Sequence, residues 1–253
     1  MPNFSSHDAG MPCWLETTVS SRGEREALID FYSKVFGWTF NVMGAETGFY
    51  SIAVLDGESI LAIGEQTGGQ GNWVTFFATP NIVKSASLVI ENGGELILPP
   101  MQVMEFGWKA LAKDPSGVVH AFWQAIGHQG FGAMNEPNTL GWFDHVSENP
   151  EGNSHYYRNV LANGVDVLTE GDMRVLRKGE TWFASMSYGD ISEQTPQWMP
   201  VVVVDSLDRI KNVVCELGGV IIVEEMEVPG SSIAIFRDPI VGTSLTIMAA
   251  RND

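Results

Sequence analysis

The sequence holds two cysteines in 253 residues, Cys13 and Cys215, and no CxxC pair. A disulfide framework is therefore not expected. Positive charge is scarce: 14 Lys+Arg stand against 31 Asp+Glu, a formal charge of −17. A surface of that sign repels phosphate backbones and anionic lipid, so neither nucleic acid nor a membrane is an expected partner. Long apolar runs are missing too, since stretches such as Val201–Val204 fall far short of the ~18–20 residues of a membrane helix. The opening residues MPNFSSHDAGMP carry neither a basic nor an apolar leader segment, and with so little cysteine a reducing, cytoplasmic location is expected. No GxGxxG, Walker-type, HExxH or GxSxG motif occurs. What remains is 44% apolar and 10% aromatic residues, enough to offset the entropy of ordering without a metal or disulfide staple. The length suits about two domains.

The chain repeats itself. Trp14 and Trp142 lie 128 apart; Tyr32 and Tyr157, Trp73 and Trp198, and the pairs Gly93-Gly94 and Gly218-Gly219 each lie 125 apart. Asp114-Pro115 returns as Asp238-Pro239 after 124 residues. Landmarks in one order at a nearly constant offset define two homologous halves. Each half divides again, because four Trp-bearing, strand-like runs each lead into a helix-like stretch: CWLETTV at 13, NWVTFFAT at 72, GWFDHV at 141 and QWMPVVVV at 197. Leu28, Phe31, Tyr32, Val35 and Phe36 mark one helical face that Gly37 ends; Asn81 caps a second helix; a third runs from Pro150 to about Ala162; a fourth starts at Ser206. Short β-rich runs follow, such as Phe49–Leu55, Ser59–Ile63, Gly107–Ala112 and Val118–Trp123. The unit is thus βαβββ, used four times. A tail at 1–11 precedes a first domain at 12–126 (modules 12–66 and 72–126). A linker at 127–139 then leads to a second domain at 140–250 (modules 140–189 and 197–250). The segments Thr67–Gly71 and Gly189–Pro196 separate the modules within each half.

This organisation resembles the vicinal-oxygen-chelate superfamily of glyoxalases, bleomycin-resistance proteins and extradiol dioxygenases, in its tandem two-domain bacterial form. The likeness is carried by PCW at Pro12–Trp14, IDFYSKVFGW at Ile29–Trp38, ENGGELILPPMQV at Glu91–Val103 and DPSGVVHAFWQA at Asp114–Ala125. NEPNTLGW at Asn135–Trp142 and Asp238-Pro239 extend it into the second half. It implies an α+β fold of two domains with curved, mostly antiparallel sheets. It also implies a metal held by His, Gln or Glu on the first and last strands of paired modules.

At those positions the sequence departs from the family. The first half offers Trp14, Trp73 or Val74, and the neighbourhoods of Ala62 and Ala121; the second offers Trp142, Trp198 or Met199, Ala184 or Ser185, and Leu245 or Thr246. None is an imidazole or a carboxylate, the groups such a metal needs. His7 and His128 fall in tail and linker, His120 and His145 alternate away from the cleft face, and His155 sits on a helix. No metal and no cofactor are therefore expected. With a strand period of two, Trp14, Glu16 and Thr18 share one wall, as do Trp142, Asp144 and Val146, and Trp123 closes the first pocket. Trp14, Thr18, Trp73, Trp123, Trp142 and Trp198 are the expected ligand-binding residues, with Tyr32 and Phe49 as further contributors. Glu16 and Asp144 are the candidate acid–base groups.

Indole walls suit a flat or cationic small molecule. Three functions follow: metal-independent small-molecule binding, an enzyme of glyoxalase, dioxygenase or acid–base type, and an acidic protein that captures a basic partner. Two domains packed in a monomer or weak homodimer are expected.

Overall fold

The computed structural model describes residues 6–66, 71–161, 164–170, 173–189 and 196–250. The expected separators Thr67–Gly71 and Gly189–Pro196 lie largely outside those residues.

The first half begins with β1 (Pro12–Val19), α1 (Arg22–Phe36), β2 (Thr39–Val42), β3 (Ser51–Leu55) and β4 (Glu58–Glu65). It repeats the series with β5 (Trp73–Ala78), α2 (Ile82–Glu91), β6 (Glu95–Val103), β7 (Gly107–Lys113) and β8 (Val119–Ala125). The second half contains β9 (Leu140–Ser147), α3 (Pro150–Leu161), β10 (Val165–Glu170), β11 (Met173–Lys178) and β12 (Thr181–Tyr188). It closes with β13 (Gln197–Val203), α4 (Leu207–Glu216), β14 (Val220–Val228), β15 (Ser231–Arg237) and β16 (Ser244–Ala250).

Helix boundaries follow local chemistry. The Ser21, Asn81 and Ser206 side chains accept from backbone N–H groups of the first turns of α1, α2 and α4, satisfying donors that the helix itself leaves open. Gly37 ends α1 in the left-handed region, at φ 76°, a conformation costly for any residue with a Cβ. None of the described helices is long and apolar enough to cross a membrane.

Two open eight-stranded mixed sheets result, in the orders β2-β3-β4-β1-β5-β8-β7-β6 and β10-β11-β12-β9-β13-β16-β15-β14. Within each half the two modules join through their first strands, β1 antiparallel to β5 and β9 antiparallel to β13. First and last strands of a module run parallel. The α+β class with tandem domains of this kind therefore holds.

Each sheet has two different faces. Register places Trp14 opposite Phe76 and Glu16 opposite Val74 and Ala62, all on one face. The intervening Leu15, Thr17, Trp73 and Phe77 are buried on the other, which carries the helices. The halves meet through those helix-bearing faces, with α1 against α4, α2 against α3 and β5 against β13. The seam is polar at one place. The buried Asp114 carboxylate lies 2.6 Å from His145 Nε2 and accepts from the Tyr157 hydroxyl at 3.1 Å, while Trp198 Nε1 donates to that hydroxyl at 2.8 Å. His120 packs beside them, 3.2 Å from the Tyr156 hydroxyl.

The segment 127–139, expected as a linker, is a strap built into both domains. Phe131 and Ala133 are fully buried, and backbone bonds tie Phe131 to Cys13, Gly132 to Ser59 and Asn138 to Val203. Trp38 Nε1 donates to the Asn138 carbonyl at 2.8 Å. At Gly130, φ is 112° and a Cβ would run into the Cys13 carbonyl oxygen, so only glycine fits under β1.

Candidate functional site

The outward face of the first sheet encloses a cleft of about 500 Å³. Its floor comes from alternation along β1, which sends Trp14 and Glu16 to the same side, and from Phe76 and Trp123 on the neighbouring strands. The floor is held by one hydrogen-bonded chain. Trp14 Nε1 donates to the Tyr50 hydroxyl at 2.8 Å, and that hydroxyl donates to Glu16 Oε2 at 2.9 Å. Burial, with the Glu16 charge adding to it, pushes the Tyr50 phenol well above its ordinary pKa, so it stays a donor. The Glu16 carboxylate forms no ion pair among the described residues, and the chain to Tyr50 leaves its second oxygen for the cleft.

His128, brought in by the strap, is a cleft residue that sequence reasoning left in a linker. The Trp123 indole donates to its carbonyl at 2.8 Å, and its ring stands edge-on to Trp14 with centroids 4.5 Å apart. Burial, with His7 adding a second positive charge, lowers its pKa to about 4, so the imidazole is neutral at pH 7. Tyr50 was missed as well. It sits just before β3, next to Phe49, and only the register of β3 against β4 carries it over Glu16. Met43, Met101 and Met104 line the mouth with adaptable thioether side chains, and Lys109 reaches in from β7 on the far side.

The second half repeats the floor with other residues. Trp142 Nε1 donates to the Ser185 hydroxyl at 2.8 Å, and Ser185 and Ser187 donate to the two oxygens of Asp144 at 3.0 and 2.9 Å. Burial raises the Asp144 pKa, and the two serine hydroxyls only partly oppose it.

Several expectations are corrected by placement. Trp73 lies on the helix side, packed against Tyr32 with ring centroids 6.0 Å apart, and Trp198 lies there too, bonded to Tyr157. Neither lines a cleft, because each is one residue out of register with the cleft-facing Val74 and Met199. Tyr32 is buried on the inner side of α1, and Phe49 stacks under the Arg25 guanidinium at 5.3 Å instead. Thr18 shares the face of Trp14 and Glu16 but stands beside Gly64, beyond the residues enclosing the cleft.

The side chains at the positions where the family resemblance would place metal ligands do not fit a metal. Trp14, Val74, Ala62 and Ala121 occupy them in the first half and Trp142, Met199, Ser185 and Thr246 in the second. Among the described residues no group of three His, Cys, Asp or Glu is arranged to hold one. His120 and His145 point to the seam between the halves, away from the outward sheet faces.

Four βαβββ modules joined pairwise through their first strands make the vicinal-oxygen-chelate fold, here in its tandem two-domain form. A Mn(II)-bound glyoxalase from Novosphingobium aromaticivorans superposes with a TM-score of 0.68 at 14% identity, covering 96% of this chain and 82% of its own. The 2,2',3-trihydroxybiphenyl 1,2-dioxygenase of Sphingomonas wittichii gives 0.66 at 12% identity, with 95% and 90% covered. In sequence, the chain is 27% identical over 252 residues to a Mycobacterium tuberculosis protein provisionally named glyoxylase CFP32, covering 94% of this chain and 95% of that one. It is 25% identical over 253 residues to the anthracycline biosynthesis protein DnrV of Streptomyces peucetius, with 91% and 90% covered. No protein-family model matches the chain.

Proposed function

We propose that this protein binds a flat small molecule in the first-half cleft, and does so without a metal. The observation that carries the proposal is the Trp14–Tyr50–Glu16 chain. At the place where the fold ordinarily offers metal-binding side chains, an indole is hydrogen-bonded into a fixed orientation and forms an apolar floor. An open cleft of about 500 Å³, walled by Trp14, Phe76 and Trp123, suits a two- or three-ring compound, and a few fixed polar groups set its orientation. The kinship with a protein named for anthracycline biosynthesis points in the same direction, since anthracyclines are fused-ring aromatics.

Titration with two- and three-ring arenes, followed by tryptophan quenching and thermal shift, tests this. Saturable binding unchanged by EDTA and weakened at least tenfold in Trp14→Ala is expected. Binding or turnover that disappears with chelator and returns with a transition metal would overturn it.

A second reading, acid–base catalysis, is favoured by Asp144, whose burial raises its pKa toward the range of working acids. Turnover abolished by Asp144→Asn with the fold intact would establish it.

A further inference from the structure

The first cleft is electrically two-ended. Its one wall, made by β1 and the turn leading to β3, presents the Glu16 carboxylate at the floor and Glu46 at the rim. The opposite wall, made by β7, presents Lys109, whose position opposite Trp123 in the β7–β8 register puts it on the cleft face. Neither Glu16 nor Lys109 forms an ion pair among the described residues, although both line one cleft. The order β1-β5-β8-β7 separates their strands by three steps, about 14 Å along the sheet. The span between them is floored by the apolar rings of Trp14, Phe76 and Trp123. A carboxylate taken mostly out of water gains when a partner supplies the missing charge, and each wall has a partner missing.

Resting on the reading of this cleft as a small-molecule site, we propose that it selects a flat arene with a protonated amine at one end and an anionic or strongly accepting oxygen group at the other. The ligand lies across the cleft. Its amine reaches the free oxygen of Glu16, its ring covers the indole floor, and its oxygen group meets the Lys109 ammonium. Tyr50 is a positioning residue: with its hydroxyl fixed between Trp14 and Glu16, it holds the carboxylate aimed at the ligand's cationic end.

Three naphthalenes of one shape separate the contributions: 6-(aminomethyl)-2-naphthoic acid, 2-(aminomethyl)naphthalene and 2-naphthoic acid. Affinity is read by calorimetry and tryptophan quenching at pH 7 and low salt, for the intact protein, Glu16→Gln and Lys109→Gln. The zwitterion is expected to bind at least tenfold more tightly than either single-ended compound. Glu16→Gln should remove most of the advantage of the amine and leave the affinity for 2-naphthoic acid unchanged or improved; Lys109→Gln should do the reverse. Lys109→Gln alters a side chain at the cleft mouth, so the proposal stays testable even if Glu16→Gln fails to fold. Equal affinity of the three compounds for the intact protein would overturn the charge selection while leaving the cleft as an arene site. Failure of all three to bind would remove the small-molecule reading itself.

Discussion

A single hydroxyl decides how the first floor is built. Tyr50 accepts from one buried group and donates to another, so Tyr50→Phe strands the Trp14 N–H and one Glu16 oxygen together. Such a loss costs about 1–3 kcal/mol, and urea unfolding should show it as a lower midpoint with an unchanged slope. Asp144 is expected to behave in the opposite way. Its folded pKa is raised, so its charge weakens the fold at neutral pH, and this penalty fades as pH falls through the folded value. Asp144→Asn should therefore fold with equal or greater stability at pH 7, whereas Ser187→Ala, which removes a donor from the same carboxylate, should destabilise it. Glu16 and Asp144 were legible in the sequence, because each stands two residues beyond an aromatic on a first strand. Their partners were not. Tyr50, Ser185 and Ser187 reach them through strand register, which pattern alone leaves uncertain by one residue. The same uncertainty put Trp73 and Trp198 on the cleft side when they belong under the helices.

Among the elements, those written in local chemistry were the readable ones. Ser21, Asn81 and Ser206 cap where a short polar side chain precedes an apolar helical stripe, and the βαβββ order follows from the spacing of the tryptophans. Asn81→Ala is expected to cost about 1 kcal/mol, seen by thermal or urea unfolding, because Lys84 N–H loses its acceptor. The strap at 127–139 was the element that composition concealed. Its glycines read as a loose connection, yet Gly130 is needed for close approach to β1, and Phe131 is a core residue. Gly130→Ala should cost about 2 kcal/mol or more through strain and displacement of the strap. Because the same strap seats His128 beside Trp14, arene affinity should fall along with stability, a pairing that Asn81→Ala should not show.

At the scale of the molecule, the buried seam governs the response to acid. Burial lowers the His120 pKa from its ordinary value to about 4, with Asp114 only partly opposing it. The unfolded chain takes up a proton near pH 6.5 and the folded one only near 4, so stability falls as pH drops through that window, by up to about 3 kcal/mol from this residue. His128 adds a loss over the same range. Asp114 acts lower on the scale: burial alone would raise its pKa, but the His145 imidazole holds it below the ordinary value. Its contribution persists above the unfolded pKa and disappears as pH falls through the folded one. Urea unfolding at pH 7, 5.5 and 4.5 should show the decline, and His120→Gln should flatten it.

The seam also distinguishes one copy of the repeat from the other. Tyr32, Trp73 and Asp238 are the counterparts of Tyr157, Trp198 and Asp114, but Thr17 stands where His145 would be. Two identical first halves docked in the same manner would set the Asp114 carboxylate against threonine, so that it kept its backbone donors Ser116 and Val118 but lost the imidazole. Two identical second halves would set His145 against Asp238, whose oxygens already accept from the backbone of residues 240–243. Gene duplication has thus left a lock and its own key on a single polypeptide: expressed as separate fragments, the halves should seek each other rather than themselves.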